Sequence, residues 1–284
     1  MRLARTKTVA TRSKRVLFTL FAWTVVLLIA FPLFWMIVTS LKPETELFTR
    51  PPTFFPGEYT LANYERLLFD THFPVFFMNS SIVALGTTLL VIVVATLGAH
   101  SLVTFRYRGR RLLAQAVLFT YLLPSVILVI PLYLVMARLG LVNSLLGLVI
   151  CYATFALPFA LWLLRSFMTA IPVDLESAAM IDGASRIRAF TDVILPQALP
   201  GIISTALFTF IVAWNEYLFA LVLINRQLSM TLPVGVFSVL INPHQIEWGL
   251  MMTASVMMSV PLIITFAFLQ KHLTRGFGAG AVKG

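Results

Sequence analysis

Apolar residues in this chain neither alternate with polar ones nor recur only at a surface-helix period. They gather into six long runs, at about 16–40, 76–102, 112–137, 144–164, 201–224 and 249–269. A helix needs about 20 apolar residues to cross a hydrocarbon core about 30 Å thick, because no water is present there to satisfy exposed backbone groups. Each run reaches that length, so the pattern predicts an all-α, polytopic membrane protein with six transmembrane helices. Composition agrees. Of the 284 residues, 59% are hydrophobic and 11% charged, and the mean hydropathy is +0.92, whereas an ordinary soluble domain is about 25% charged.

The first run follows a basic tail, residues 1–15, and is too long for a signal-peptide core of about 7–15 residues. No small-residue cleavage pattern closes it, so it reads as a retained first span. Six spans place both termini on one side. That side carries Arg2, Arg5, Lys7, Arg12, Lys14, Arg15, Arg106, Arg108, Arg110, Arg111, Arg165, Arg186, Arg188, Lys271, Arg275 and Lys283. The other side carries only Lys42, Arg50, Arg66, Arg138 and Arg226. An excess of Lys and Arg marks the cytoplasmic face, so both termini are expected in the cytoplasm, and residues 271–284 form a second cytoplasmic tail. The net charge of +10 is thereby assigned to topology, and no nucleic-acid partner is needed.

Two loops on the outer side, 41–75 and 225–248, are long and rich in proline. Connections within bundles usually take about 2–8 residues, so these are candidate docking surfaces, the alternative being simple connection. Few groups suggest chemistry. Cys151 has no partner for a disulfide and suits a small buried position. His72, His100, His244 and His272 lie in separate loops or at span ends, with no Ser–His or paired-carboxylate arrangement and no metal-ligand spacing. No Gly-x-x-x-x-Gly-Lys-Ser/Thr phosphate loop occurs. The chain is therefore expected to be no enzyme and to bind no cofactor or metal.

One polar stretch stands apart, 172–200, between the fourth and fifth runs. Asp174 is a plausible N-cap. From Glu176 to Ile187 the residues read as an amphipathic helix in which Ala178, Ala179, Ile181 and Ala184 share the surface with Glu176, Asp182, Arg186 and Arg188, and Gly183 interrupts it. A second short helix, about 189–194, is expected to stop before Pro196, with Pro200 introducing the fifth span. Two ordered turns with an apolar stripe exceed what a mere linker requires.

This stretch resembles the signature loop of the permease subunits of binding-protein-dependent ABC importers, which runs Glu-Ala-Ala, three residues, Gly, nine residues, Ile, one residue, Leu-Pro. Aligned on Gly183, the triplet falls on Ser177, Ala178 and Ala179, the Ile position on Val193, and Leu195-Pro196 closes the motif. Ser177 departs from the family glutamate, leaving Glu176 or Asp182 as the charged contact. Further stretches resemble the carbohydrate-importer branch, of the smaller maltose-type kind: Thr-Ser-Leu-Lys-Pro at 39–43, Asn-Ser-Ser at 79–81, Gly-Leu-Val-Asn at 140–143, Trp-Asn-Glu at 214–216, Thr-Leu-Pro-Val-Gly at 231–235, Trp-Gly at 248–249 and the tail at 276–284.

The resemblance implies a type I importer permease in the inner (cytoplasmic) membrane, acting with a second homologous permease subunit, two ATP-binding subunits and an extracytoplasmic solute-binding protein. ATP and Mg would be bound by the ATP-binding partners, and the solute moved inward would be a sugar or a sugar-like molecule. It assigns Glu176, Ser177, Ala178, Ala179, Asp182, Gly183, Arg186, Leu195 and Pro196 to a coupling helix gripped by an ATP-binding subunit, with residues 281–284 a weaker second contact.

Glu216 is the one clear carboxylate inside a predicted span, and such residues are functional suspects. With Trp214 and Asn215 it forms a candidate solute pathway. The competing reading is a helix–helix hydrogen-bond cluster. Other aromatic and polar residues, Tyr121, Tyr133, Asn143, Tyr152 and Trp162, are candidates to line a passage, the alternative being helix contacts or interfacial belts, and Pro124, Pro131 and Pro158 are expected to kink the third and fourth spans. The rival function is an ion-coupled secondary transporter. It would require several membrane ionisable groups, and often inverted repeats.

Overall fold

The computed structural model describes residues 2–49, 51–172, 174–242 and 245–278. In chain order its elements are α1 (Arg2–Ser40), α2 (Glu44–Leu47), α3 (Ala62–Phe69), α4 (Phe73–Thr104), α5 (Arg110–Tyr121), α6 (Ser125–Arg138), α7 (Leu145–Thr169), α8 (Asp174–Ile181), α9 (Arg186–Arg188), α10 (Leu195–Trp214), α11 (Leu218–Leu223), α12 (Leu232–Gly235), the two-residue strands β1 (Ile241–Asn242) and β2 (Gln245–Ile246), and α13 (Trp248–Gly278). The fold is all-α. Among the described residues five helical stretches are long and apolar enough to cross a membrane, and six if the bent pair α5–α6 is one span.

The chain divides into two compact units, one running to Thr71 and resuming over Leu240–Met257, the other covering His72–Val239 and the chain from Met258 on. In the first unit, α1 is uncovered over its apolar length: Leu17, Phe18, Leu28 and Ile29 are exposed. So exposed an apolar helix suits an apolar surrounding, whether lipid or another membrane helix. Its C-terminal end is buried and tied down. Asn63 Nδ2 donates to the carbonyls of Ser40 (3.2 Å) and Lys42 (3.1 Å), and the Ser40 and Tyr64 hydroxyls are 2.9 Å apart. These bonds occupy carbonyls that a helix end leaves without intrahelical partners. Lys42 Nζ donates to the carbonyl of Thr53 and lies 5.0 Å from the Trp35 ring centroid. Arg66 pairs with Glu247 at 2.8 Å.

In the second unit, α4, α7 and α10 pack through a seam of small residues. Val91, Ala95 and Ala99 of α4 meet Ala156, Ala160 and Leu164 of α7, with Ala198 of α10 in the same cluster. Alanines four residues apart lie on one helix face and let two backbones approach, the main route to tight packing where lipid removes the hydrophobic drive. Cys151 is buried in the same unit. At Gly201 the approach is closer still: a Cβ there would lie 2.5 Å from Cγ of Phe167.

Several expected boundaries differ. The third run, expected as one kinked span over 112–137, forms two helices bent by 101°. The break falls at Pro124, which has no N–H with which to continue the ladder and pushes its predecessor toward extended backbone. Pro131 and Pro158 instead remain inside α6 and α7. The fifth span, expected over 201–224, ends as α10 at Trp214, and the chain restarts as α11 after three intervening residues. The helix expected to stop before Pro196 does not stop. Residues Ala189–Ile194 widen into a π-helical turn and run directly into α10; a wider turn shifts the bonding register past the carbonyl that Pro196 cannot serve. α1 begins within the basic tail, and α13 continues beyond 270 to Gly278. Residues 281–284, the weaker contact candidate, lie outside the described residues.

Candidate functional site: a glycine turn carried on the end of a membrane helix

The polar stretch is a helix, a glycine turn and a second helix. α8 closes with Gly183 N–H donating to Met180 O (3.2 Å) and Ala184 N–H donating to Ala179 O (3.0 Å). Gly183 takes φ +90°. This is the paired-bond C-terminal cap that favours glycine, because a left-handed residue with a Cβ is strained. Space is not the reason, since a Cβ at Gly183 would meet nothing within 4 Å. Two residues on, Ser185 caps the next helix, its Oγ accepting from Arg188 N–H at 3.4 Å. Reversal and restart take four residues, so the tip is short and ordered.

What the tip presents differs from what the spacing suggests. Ile181 and Ile187 are 86% and 76% exposed, one on each side of Gly183. Ser177, Ala178, Asp182, Gly183, Arg186 and Pro196 are exposed as well, and Ala179 and Leu195 are half-buried. Glu176 is the exception. Expected as a charged contact for a partner, it is 2% exposed, with Oε2 3.0 Å from His100 Nε2 and accepting from Thr104 Oγ1 at 3.3 Å. The reason is rotational: one residue along a helix turns about 100°, so Glu176 faces inward to α4 while Ser177 faces out. Asp182 is the acidic side chain left at the tip.

Behind the tip, His100 also packs against Phe190, ring centroids 4.5 Å apart, and against Phe105 at 5.6 Å. Arg186 lies over the Phe105 ring at 5.3 Å. Ala189, Ile194 and Ala198 are buried below. The stretch is thus a rigid projection with an apolar foot.

The intramembrane candidates separate. Trp214 is buried, donates from Nε1 to Met258 O at 3.2 Å, and packs on Phe210 and Phe77. Glu216 caps the restarted helix, its carboxylate accepting from the N–H groups of Phe219 (2.8 Å) and Ala220 (3.2 Å), and the buried Tyr152 hydroxyl lies beside it. Asn215 is exposed and donates to Ile211 O at 2.8 Å. These bonds hold the break between α10 and α11. A different feature offers room for a solute: a groove of about 760 Å³ framed by the α5–α6 bend, α7 and α10, lined by Thr120, Tyr121, Ser125, Thr154, Phe155 and Phe208. Sequence reasoning reached Tyr121 but not the groove, because Pro124 reads equally as kink or break until its neighbours are placed.

Comparison with known proteins defines the class. Residues 91–278 match the family of binding-protein-dependent transport system inner membrane components. The trehalose/maltose transport system permease protein of Thermococcus litoralis is 39% identical over 278 residues, covering 95% of this chain and 98% of that one. The diacetylchitobiose uptake system permease protein DasC of Streptomyces coelicolor is 36% identical, covering 90% and 92%. The sulfoquinovosyl glycerol transport system permease protein of Agrobacterium fabrum is 37% identical, covering 89% of each. A crystal structure of a bacterial ABC transporter involved in alginate import has a chain that superposes with a TM-score of 0.80 at 23% identity, covering 92% and 96%. It shares the fold. The chain belongs to the family of binding-protein-dependent inner membrane permease components. It is an ABC importer permease subunit rather than an ion-coupled secondary transporter.

Proposed function

We propose that this chain is the membrane-spanning partner in an ATP-driven sugar importer, and that the Gly183 tip is its coupling element. In this reading the tip lies in the cytoplasm, seated in a groove of an ATP-binding subunit. Closure of two such subunits on ATP and Mg then pushes α4 and α10, and a second permease chain completes the passage. An extracytoplasmic binding protein delivers the solute to the outer side. The observation that carries the reading is the pair Ile181 and Ile187, exposed on either side of an ordered left-handed glycine. Water disfavours two such side chains at a polar loop, and an apolar groove in a partner accounts for them.

Sugar is favoured because three relatives carry sugar-containing solutes in their names and span most of this chain. The α5–α6 groove has the matching chemistry, hydroxyl groups for sugar hydroxyls and aromatic faces for the apolar side of a pyranose. The test is co-purification of the tagged chain with its partners, followed by reconstitution and a panel of sugars offered to the bound solute-binding protein. Gly183→Pro, which cannot adopt positive φ, should insert and assemble but hydrolyse ATP without uptake. Normal coupled uptake by that variant would sink the coupling assignment.

A further inference from the structure

The coupling reading leaves open how motion of the tip reaches the membrane helices. The two arms of the turn, α8 before Gly183 and the π-helical turn that continues α9 after it, lie side by side but belong to different helices joined by a short reversal. A push on the tip would be absorbed at that joint unless something held both arms to one support. One side chain touches both. His100, on the last turns of α4, sits 3.0 Å from Glu176 of the first arm and stacks at 4.5 Å on Phe190 of the second. Thr104, one turn further along α4, donates to the same Glu176 oxygen. Both members of the pair are buried, with side chains 10% and 3% exposed, and Glu176 Oε1 has no hydrogen-bond partner among the described residues. Removing water from a carboxylate and leaving one oxygen unbonded is costly. A surface glutamate in a linker would turn outward.

We infer that His100 is a positioning residue of the transport cycle: by bonding Glu176 and stacking on Phe190 it locks both arms of the Gly183 tip to the end of α4, so that the tip and α4 move as one body. This rests on the coupling reading above. It assigns Glu176, a candidate contact for the ATP-binding partner because Ser177 stands where the family glutamate falls, to the opposite side of the helix and to an internal role. The geometry also fixes what should substitute. Glutamine at position 100 retains an N–H donor at a similar reach; leucine fills the space without one.

The experiment uses the complete importer in proteoliposomes, with the permease pair, ATP-binding subunits and loaded binding protein. Uptake and ATP hydrolysis are measured together for wild type, His100→Gln, His100→Leu and Glu176→Leu. A cysteine at Ile187 reports, by cross-linking, whether the tip still contacts the ATP-binding subunit. The leucine variants should retain the cross-link and unstimulated hydrolysis, while uptake per ATP falls about tenfold, within the usual range of a site-to-site coupling. His100→Gln should recover part of that ratio, because it restores the bond to Glu176 but not the ring contact with Phe190. A purely structural role would lower the amount of assembled complex and leave uptake per ATP unchanged, and that result overturns the proposal. So does equal loss in His100→Gln and His100→Leu. Should the leucine variants fail to assemble, Thr104→Val removes one bond to Glu176 with little change in volume, and unchanged coupling there overturns it. Failure of the cross-link in Ile187→Cys with His100 and Glu176 unchanged strikes the coupling reading instead.

Discussion

Gly183 and Gly201 are both irreplaceable, for opposite reasons. At Gly183 there is space for a side chain but the backbone is left-handed; at Gly201 the demand is space, because Phe167 fills it. Gly183→Ala is expected to strain the tip by about 1–2 kcal/mol and lower uptake per ATP, with little change in detergent melting temperature, since a tip outside the seam relieves its strain by opening locally. Gly201→Ala is expected to do the reverse, lowering the melting temperature through overpacking of about 1–3 kcal/mol, and Phe167→Leu in the same chain should restore part of it. Thermal unfolding in detergent beside coupled-uptake measurements separates the two. The first glycine was legible in the sequence, where its spacing to Leu195-Pro196 marks the loop. The second was not, for nothing near Gly201 announces a ring 34 positions earlier. Glu176 shows the same limit: which side of α8 faces inward depends on His100 and Thr104, more than 70 positions away.

Among elements, the bent pair α5–α6 departs most from its sequence pattern. At about 1.5 Å per residue, helices of 12 and 14 residues are about 18 and 21 Å long, so neither crosses a bilayer core alone, and the apolar run encoded enough residues for one span while Pro124 encoded two directions. Hydropathy counts residues and does not sense direction, so the run was found and its shape was not. Pro124→Leu is expected to restore the missing donor and straighten the pair. Spin labels at the exposed positions Leu113 and Val135 should then move apart toward about 33 Å, the length of a continuous helix over that stretch. An unchanged distance would show that the surrounding helices, not the proline, impose the bend. The same reasoning covers α10, where Pro196 and Pro200 read as breaks but the chain widens into a π-helical turn and runs through.

At the scale of the whole molecule, composition and the six runs were enough to recognise a membrane bundle, because the bilayer demands long apolar helices whatever the tertiary contacts. The exposed flank of α1 and the small-residue seam of α4, α7 and α10 realise that demand in two ways, one by an apolar outer surface and one by packing within the chain. The tip belongs to neither environment. Two isoleucines held out on a rigid turn resemble the signal by which cells recognise proteins that have lost or not yet met their partners. On the proposed coupling, a chain made in excess of the ATP-binding partner is therefore expected to be short-lived. Pulse-chase labelling should show its half-life rising when those subunits are co-expressed, and Ile181→Ser with Ile187→Ser should lengthen the life of the solitary chain while weakening assembly. The two isoleucines proposed to join the motor to the membrane would then also set how many permeases a cell keeps.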